Sequence, residues 1–124
     1  MKEEEVLEKE QWIVEAKAVI DDVKTHVKEM LISDLEGSHK NVYINITTKE
    51  NQQITVEMSA QGFMIVGHRY NCCANPDGRW FETPYALLNK ISPGYQHSFG
   101  NDLREKLLQL QNEQNMSSID PSLN

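Results

Sequence analysis

Apolar residues recur at helical spacing through the first quarter of the chain. Trp12, Ile13, Ala16, Val19, Ile20, Val23, Val27, Met30 and Leu31 fall on one arc at i, i+3, i+4 and i+7, the pattern of an amphipathic helix turned toward a core. Lys17, Lys24 and Lys28 flank that arc, and Glu15, Asp22 and Glu29 lie opposite it. One long helix is therefore expected from Trp12 through Leu31, stopped by Gly37 in LEGSHKN. The opening MKEEEVLEKE has too little apolar surface to offset its ordering entropy, so residues 1–11 are expected to form a flexible acidic N-terminus.

The period then changes from helical to twofold. Val42, Ile44 and Ile46 alternate with Tyr43, Asn45 and Thr47, and Ile54, Val56 and Met58 alternate with Thr55 and Glu57, so each run is a strand with one apolar face. FMIVGHRY is more uniformly apolar and reads as a third strand at the centre of the sheet, with Gly67 marking a bulge or a close backbone approach. The NPDG turn follows, after which Arg79, Trp80 and Phe81 are expected to return as a short fourth strand. Trp80 and Phe81 either belong to the core or line a pocket.

Two helix starts close the pattern. Thr83 before Pro84 and Ser92 before Pro93 each place a capping oxygen ahead of a proline whose missing donor is harmless in the first turn. The first opens a short helix with Tyr85, Leu87, Leu88 and Ile91; the second opens a helix to Gln111, with Tyr95, Phe99, Leu103, Leu107 and Leu110 along one stripe. The polar NEQNMSSIDPSLN beyond it offers nothing to cover that stripe, and residues 113–124 are expected to be a disordered tail. Two readings of the stripe stay open: it covers the chain's own core, or it is left for a partner. Strands with one apolar face call for helices on that face, so the expected fold is α+β. An antiparallel meander of three to four strands is covered on one side by a long N-terminal helix and two C-terminal helices, in a single domain over residues 12–112.

Charge and cysteine usage narrow the function. A net charge of −7 disfavours nucleic acid, which is held by cations that displace phosphate counterions. No apolar run approaches the roughly 18 residues of a membrane span, and the N-terminus is charged where a signal peptide is apolar; no membrane partner is expected. Cys72 and Cys73 are adjacent and ill-placed to pair, as reduced cytoplasmic thiols would be.

Candidate chemistry is sparse. His68, Cys72 and Cys73 form the nearest approach to a reactive cluster, with His39 and His97 elsewhere. Paired zinc-ligand spacings, phosphate-cradling glycine loops and nucleophile elbows are all missing, and adjacent carboxylates such as Asp21 and Asp22 fit a solvated helix face. No enzymatic activity, cofactor or metal is expected, and a thiol or zinc enzyme is kept only as a remote class. An interaction module is the better reading.

One stretch carries a resemblance. In ETPYALLNKISPGYQHSFGNDL, the residues Glu82, Thr83, Tyr85, Leu87, Leu88, Ser92, Pro93, Tyr95, Phe99, Gly100, Asn101 and Leu103 resemble the glycogen synthase kinase-3 interaction protein (GSKIP) family. EAKAVIDDV looks like that family's first helix, VYINITTKE its first strand and Gly62 to Gly67 its third; the likeness covers about Glu15 to Gln111. It implies a non-catalytic module that binds and negatively regulates glycogen synthase kinase-3 in Wnt/beta-catenin signalling, in the cytoplasm and also in the nucleus. The implied element is the last helix, lying in the hydrophobic groove that axin's helix also uses. Axin's pattern F-x-x-x-L-x-x-x-L-x-x-apolar is matched by Phe99, Leu103, Leu107 and Leu110. Arg104 stands where the family has an apolar residue, and Lys106, also implied in kinase binding, replaces an arginine.

The resemblance implies an alternative partner as well. Some family members anchor the type II regulatory subunit of protein kinase A through the first helix. Ile20 matches one principal contact, but Lys24 stands where the second is a leucine. An ammonium in an apolar groove loses hydration or must snorkel out, so this binding is expected to be weak or absent.

Overall fold

The computed structural model describes the backbone of residues 2–118 and the side chains of residues 3–110. Helix α1 (Lys2–Val23) leads through a single 3-10 turn at Lys24–His26 into four strands, β1 (Glu29–Ile32), β2 (Asn41–Thr47), β3 (Gln53–Ser59) and β4 (Gly62–Gly67). Helices α2 (Pro84–Ile91) and α3 (Pro93–Ser118) complete the α+β fold. The strands form one antiparallel sheet in the order β1-β2-β3-β4, the meander expected.

Met30, Val42, Ile44, Ile46, Ile54, Val56, Met58, Phe63 and Ile65 line its inner face, and Ala16, Val23, Leu87, Leu88 and Tyr95 come down on them from the helices. Helix α1 lies against β1 and β2, α2 against β4, and α3 packs on α2 and the 3-10 turn. The apolar alternation of the two middle strands is thus what selects their buried face.

Several elements differ from the expectation. The long first helix stops at Val23, and Met30 and Leu31 belong to β1 instead. Pairing explains the change: Met30 opposes Ile46 and Ile32 opposes Ile44, so β1 satisfies the outer backbone groups of β2 while burying Met30 beside them. At the other end α1 begins at Lys2, within the segment expected to be flexible, with Glu3, Glu4 and Glu5 in its first turn, where carboxylates suit the helix dipole.

The apolar GFMIVG strand is not central but the last of the sheet. Arg79 to Phe81 does not form a fourth strand; it contributes a single bridge between Phe81 and Phe63, closed by two backbone hydrogen bonds of 2.8 Å. Phe81 is core and Trp80 only half-buried. Gly62 makes that approach possible, since at φ +120 a Cβ there would lie 2.1 Å from the Phe81 carbonyl oxygen. The irregularity expected at Gly67 is present: the β3–β4 register slips between Thr55 and Val56, and Gly67 lies against Cys72.

The sheet's second face is not simply solvated. Asn45 and Thr55 are buried on it, beneath the segment that follows β4. Asn71, at φ 55, accepts hydrogen bonds from the Ser33 hydroxyl, the Asp34 amide and Asn45 Nδ2, each at 2.8 Å. The Asn71 amide in turn donates to Asn45 Oδ1 at 3.0 Å, and the Cys72 amide to Thr55 Oγ1 at 3.1 Å. The buried Asn45 and Thr55 side chains are tolerated because each finds partners.

Candidate partner-binding helix

Helix α3 is fastened to the body at its N-terminal end. Ser92 is its cap: the Ser92 hydroxyl accepts from the Tyr95 amide at 3.0 Å and donates to Glu50 Oε1 at 2.7 Å. The other Glu50 oxygen accepts from the Gly94 amide at 2.7 Å. One carboxylate from the β2–β3 turn therefore satisfies the open end of the helix. Its pKa is held below the ordinary 4.5, first by the Ser92 hydroxyl and then by the Gly94 amide. A depressed carboxylate stabilises fully above its unfolded value and loses that contribution as pH falls through the folded one. Glu50→Gln is thus expected to cost about 0.5 kcal/mol at neutral pH, a small figure because the group is exposed and screened, with the gap closing below pH 4.5. Urea melts between pH 7 and 3 check this; a gap that stays constant with pH would contradict it.

An aromatic cluster continues the attachment. Tyr95 is buried and stacks on Phe99 with ring centroids 5.6 Å apart, while His26 meets both rings edge-on at 5.9 and 5.4 Å. Burial, then the nearby Tyr85, pushes the Tyr95 hydroxyl up to about 12. His26 Nδ1 lies 2.9 Å from the Ser98 hydroxyl, and its Nε2 lies 3.9 Å from Asp102. Asp102 in turn stands 3.7 Å from the Lys106 ammonium, one turn on. Among the described side chains this is where α3's hold on the body ends.

From Leu103 to Leu110 every side chain is exposed. Phe99 keeps 37% of its surface in solvent, Leu103 49%, Leu107 57% and Leu110 54%. These four sit on one stripe, displaced around the helix from Tyr95, Ser98 and Asp102, which face the body. The stretch from Leu103 to Leu110 spans roughly 10 Å of helix axis and covers no part of the core. Of the two readings of the stripe, the core one holds for Tyr95 and in part for Phe99, and fails for the three leucines. Leu108, at 51% exposure, adds an apolar side chain off the stripe. The helix itself runs on to Ser118, beyond the Gln111 end expected; residues 119–124 of the expected tail lie outside the described residues.

The sequence that builds this fold matches a known family. The family model described as GSKIP domain matches residues 13–110, from the body of α1 to the last described leucine. The chain belongs to the GSKIP domain family. The GSKIP domain here is 36% identical over 99 residues to the GSK3-beta interaction protein of Danio rerio, covering 78% of this chain and 74% of that protein. It is 34% identical over 96 residues to the GSK3B-interacting protein of Homo sapiens, covering 76% and 69%. The corresponding protein of Xenopus tropicalis is 32% identical over 96 residues.

The other candidate positions of this GSKIP domain are scattered. Ile20 is half-buried and packs against the core. Lys24 lies in the 3-10 turn, after α1 has ended, with its ammonium 3.3 Å from Asp21. The two therefore do not share one unbroken helical face. Cys72 is buried, Cys73 exposed, and His39 and His97 lie elsewhere, beside Glu5 and Asn101. Among the described residues no three His, Cys, Asp or Glu side chains converge as a metal would need, and no helix is long and apolar enough to cross a membrane.

His26 and Asp102 are not marked as partners by the sequence: the i, i+4 spacing of Asp102 and Lys106 is visible in it, but a helical spacing that runs on past Val23 hides the approach of His26 to α3.

Proposed function

We propose that this chain is a non-catalytic, cytoplasmic regulator that binds glycogen synthase kinase-3 through α3 and restrains its action on substrates such as beta-catenin in Wnt signalling. The observation that carries the reading is the row of exposed leucines at Leu103, Leu107 and Leu110 on a helix already anchored at its other end. A helix presented this way suits helix-in-groove recognition, in which apolar anchors about one turn apart enter a preformed cleft. Phe99 and the three leucines offer roughly 6 to 12 kcal/mol gross when fully desolvated, of which ordering and rigid-body losses remove a large part. Because the helix is preformed, its own folding adds little to that loss. The names of the relatives, interaction proteins of GSK3-beta, supply the partner.

The docking mode is that of axin's helix, with Phe99, Leu103, Leu107 and Leu110 in the four anchor positions. Lys106, held near Asp102 at 3.7 Å, is placed to reach an acidic group at the groove rim. Titration of the full chain into purified kinase tests binding, and an axin-derived helical peptide tests the mode. The peptide is expected to displace the chain competitively. Simultaneous binding of both would rule out the shared groove, and no detectable binding of the chain alone would rule out the partner.

A further inference from the structure

The leucine row of α3 does not begin on bare helix. Counting back from Leu103 and Phe99 at helical spacing, the next position on that flank is Gln96, and its Nε2 donates to the Asn89 carbonyl of α2. Tyr85, from the first turn of α2, meets Phe99 itself, the two ring centroids 5.9 Å apart and the planes at 40°. Helix α2 therefore stands across the N-terminal end of the row, on the flank of α3 that carries the leucines. His26 reaches Phe99 from the other flank, where Ser98 and Asp102 face the body.

Tyr85 also differs from its neighbours in α2. Leu87 and Leu88 are buried, whereas Tyr85 leaves 37% of its surface in solvent, the same fraction as the Phe99 beside it. Two aromatic rings in contact, each with over a third of its surface open, make one apolar patch continuous with Leu103 and Leu107. A cleft that takes up the open part of Phe99 has to come down beside Tyr85. Tyrosine suits such a border, because its ring can be buried while its hydroxyl stays wet. We propose that the kinase-docking surface is composite: Tyr85 of α2 is a contact residue, its ring covered by the rim of the groove that receives Phe99. An isolated amphipathic helix carries nothing at that place, so Tyr85 adds affinity that the four anchors of α3 do not supply. The inference rests on the kinase reading above and extends that site from α3 onto α2.

The competing explanation is that Tyr85 only buttresses Phe99 within the free protein. Hydroxyl-radical footprinting of the full chain, with and without purified glycogen synthase kinase-3, separates the two because it reads solvent access residue by residue. Tyr43, on the opposite face of the sheet, serves as the unprotected reference. Tyr85 is expected to lose most of its reactivity in the complex, together with Phe99 and Leu107. In calorimetric titration Tyr85→Ala is expected to bind about tenfold more weakly, and Tyr85→Phe, which keeps the ring, within about threefold of wild type. Protection of Phe99 and Leu107 with Tyr85 unchanged removes the contact and leaves the kinase reading intact; so does wild-type affinity in Tyr85→Ala. If Tyr85→Ala does not fold, the footprint on the wild-type chain still decides. A complex that leaves Leu107 as reactive as in the free chain, or no complex at all, removes both.

Discussion

Leu107→Ala is expected to weaken binding to glycogen synthase kinase-3 by about 2 kcal/mol or more, roughly thirtyfold, while folding stability falls by less than about 1 kcal/mol. The asymmetry follows from where the side chain is. Leu107 is 57% exposed and lies past the last attachment of α3 to the body at Asp102, so truncation opens no cavity in the free protein. Alanine is also the better helix former, which further protects stability. In a groove the same isobutyl group is desolvated, and its removal forfeits transfer free energy together with packing against the cleft walls. Calorimetric titration and a urea melt of the same variant give the two numbers. Full affinity with a large loss of stability would reverse the assignment and return Leu107 to a core role.

What made this helix legible in the sequence is that its properties are local. A Ser-Pro start and leucines at turn spacing depend on neighbours within four residues, so Ser92, Leu103, Leu107 and Leu110 could be placed by pattern alone. The Thr83 cap, whose oxygen accepts from the Ala86 amide at 3.1 Å, and the alternation in β2 and β3 were readable for the same reason. The direction of the stripe was not. It depends on Glu50 and His26, which meet α3 from 42 and 72 residues away, and no periodicity encodes a long-range hydrogen bond.

The misplaced strand has a similar origin. Val27, Met30 and Leu31 continue a helical spacing, yet β1 forms because β2 offers an unpaired edge and Met30 can be buried opposite Ile46; tertiary pairing outweighs a weak local preference. Alternation places Asn45 and Thr55 on the face opposite the apolar one. They are buried because the chain after β4 folds back and lets Asn71 satisfy them, a network that alternation cannot reveal.

The same substitution made one helix earlier should invert the result. Leu88→Ala is expected to lower folding stability by about 2 to 5 kcal/mol, a fall of roughly 10 °C or more in melting temperature for a domain of this size. Leu88 is 0% exposed and, with Leu87 and Pro84, faces Met30, Ile44, Ile46, Val56 and Phe63 around a void of about 10 Å³. That space is too small to be usefully hydrated, and its lining is apolar, so the volume vacated by Leu88 joins it as an empty cavity. Position within the range depends on collapse. The sheet side is braced by the paired strands β2 and β3 and should move little, which favours the upper half. Affinity for the kinase, measured well below the melting transition, should stay within about threefold of wild type, because Leu88 lies on the opposite side of the Ser92 cap from the leucine row. A fall in affinity as large as that of Leu107→Ala would mean that α2 sets the pose of α3. A loss of stability below about 1 kcal/mol would mean that the helices are not packed on the sheet as described.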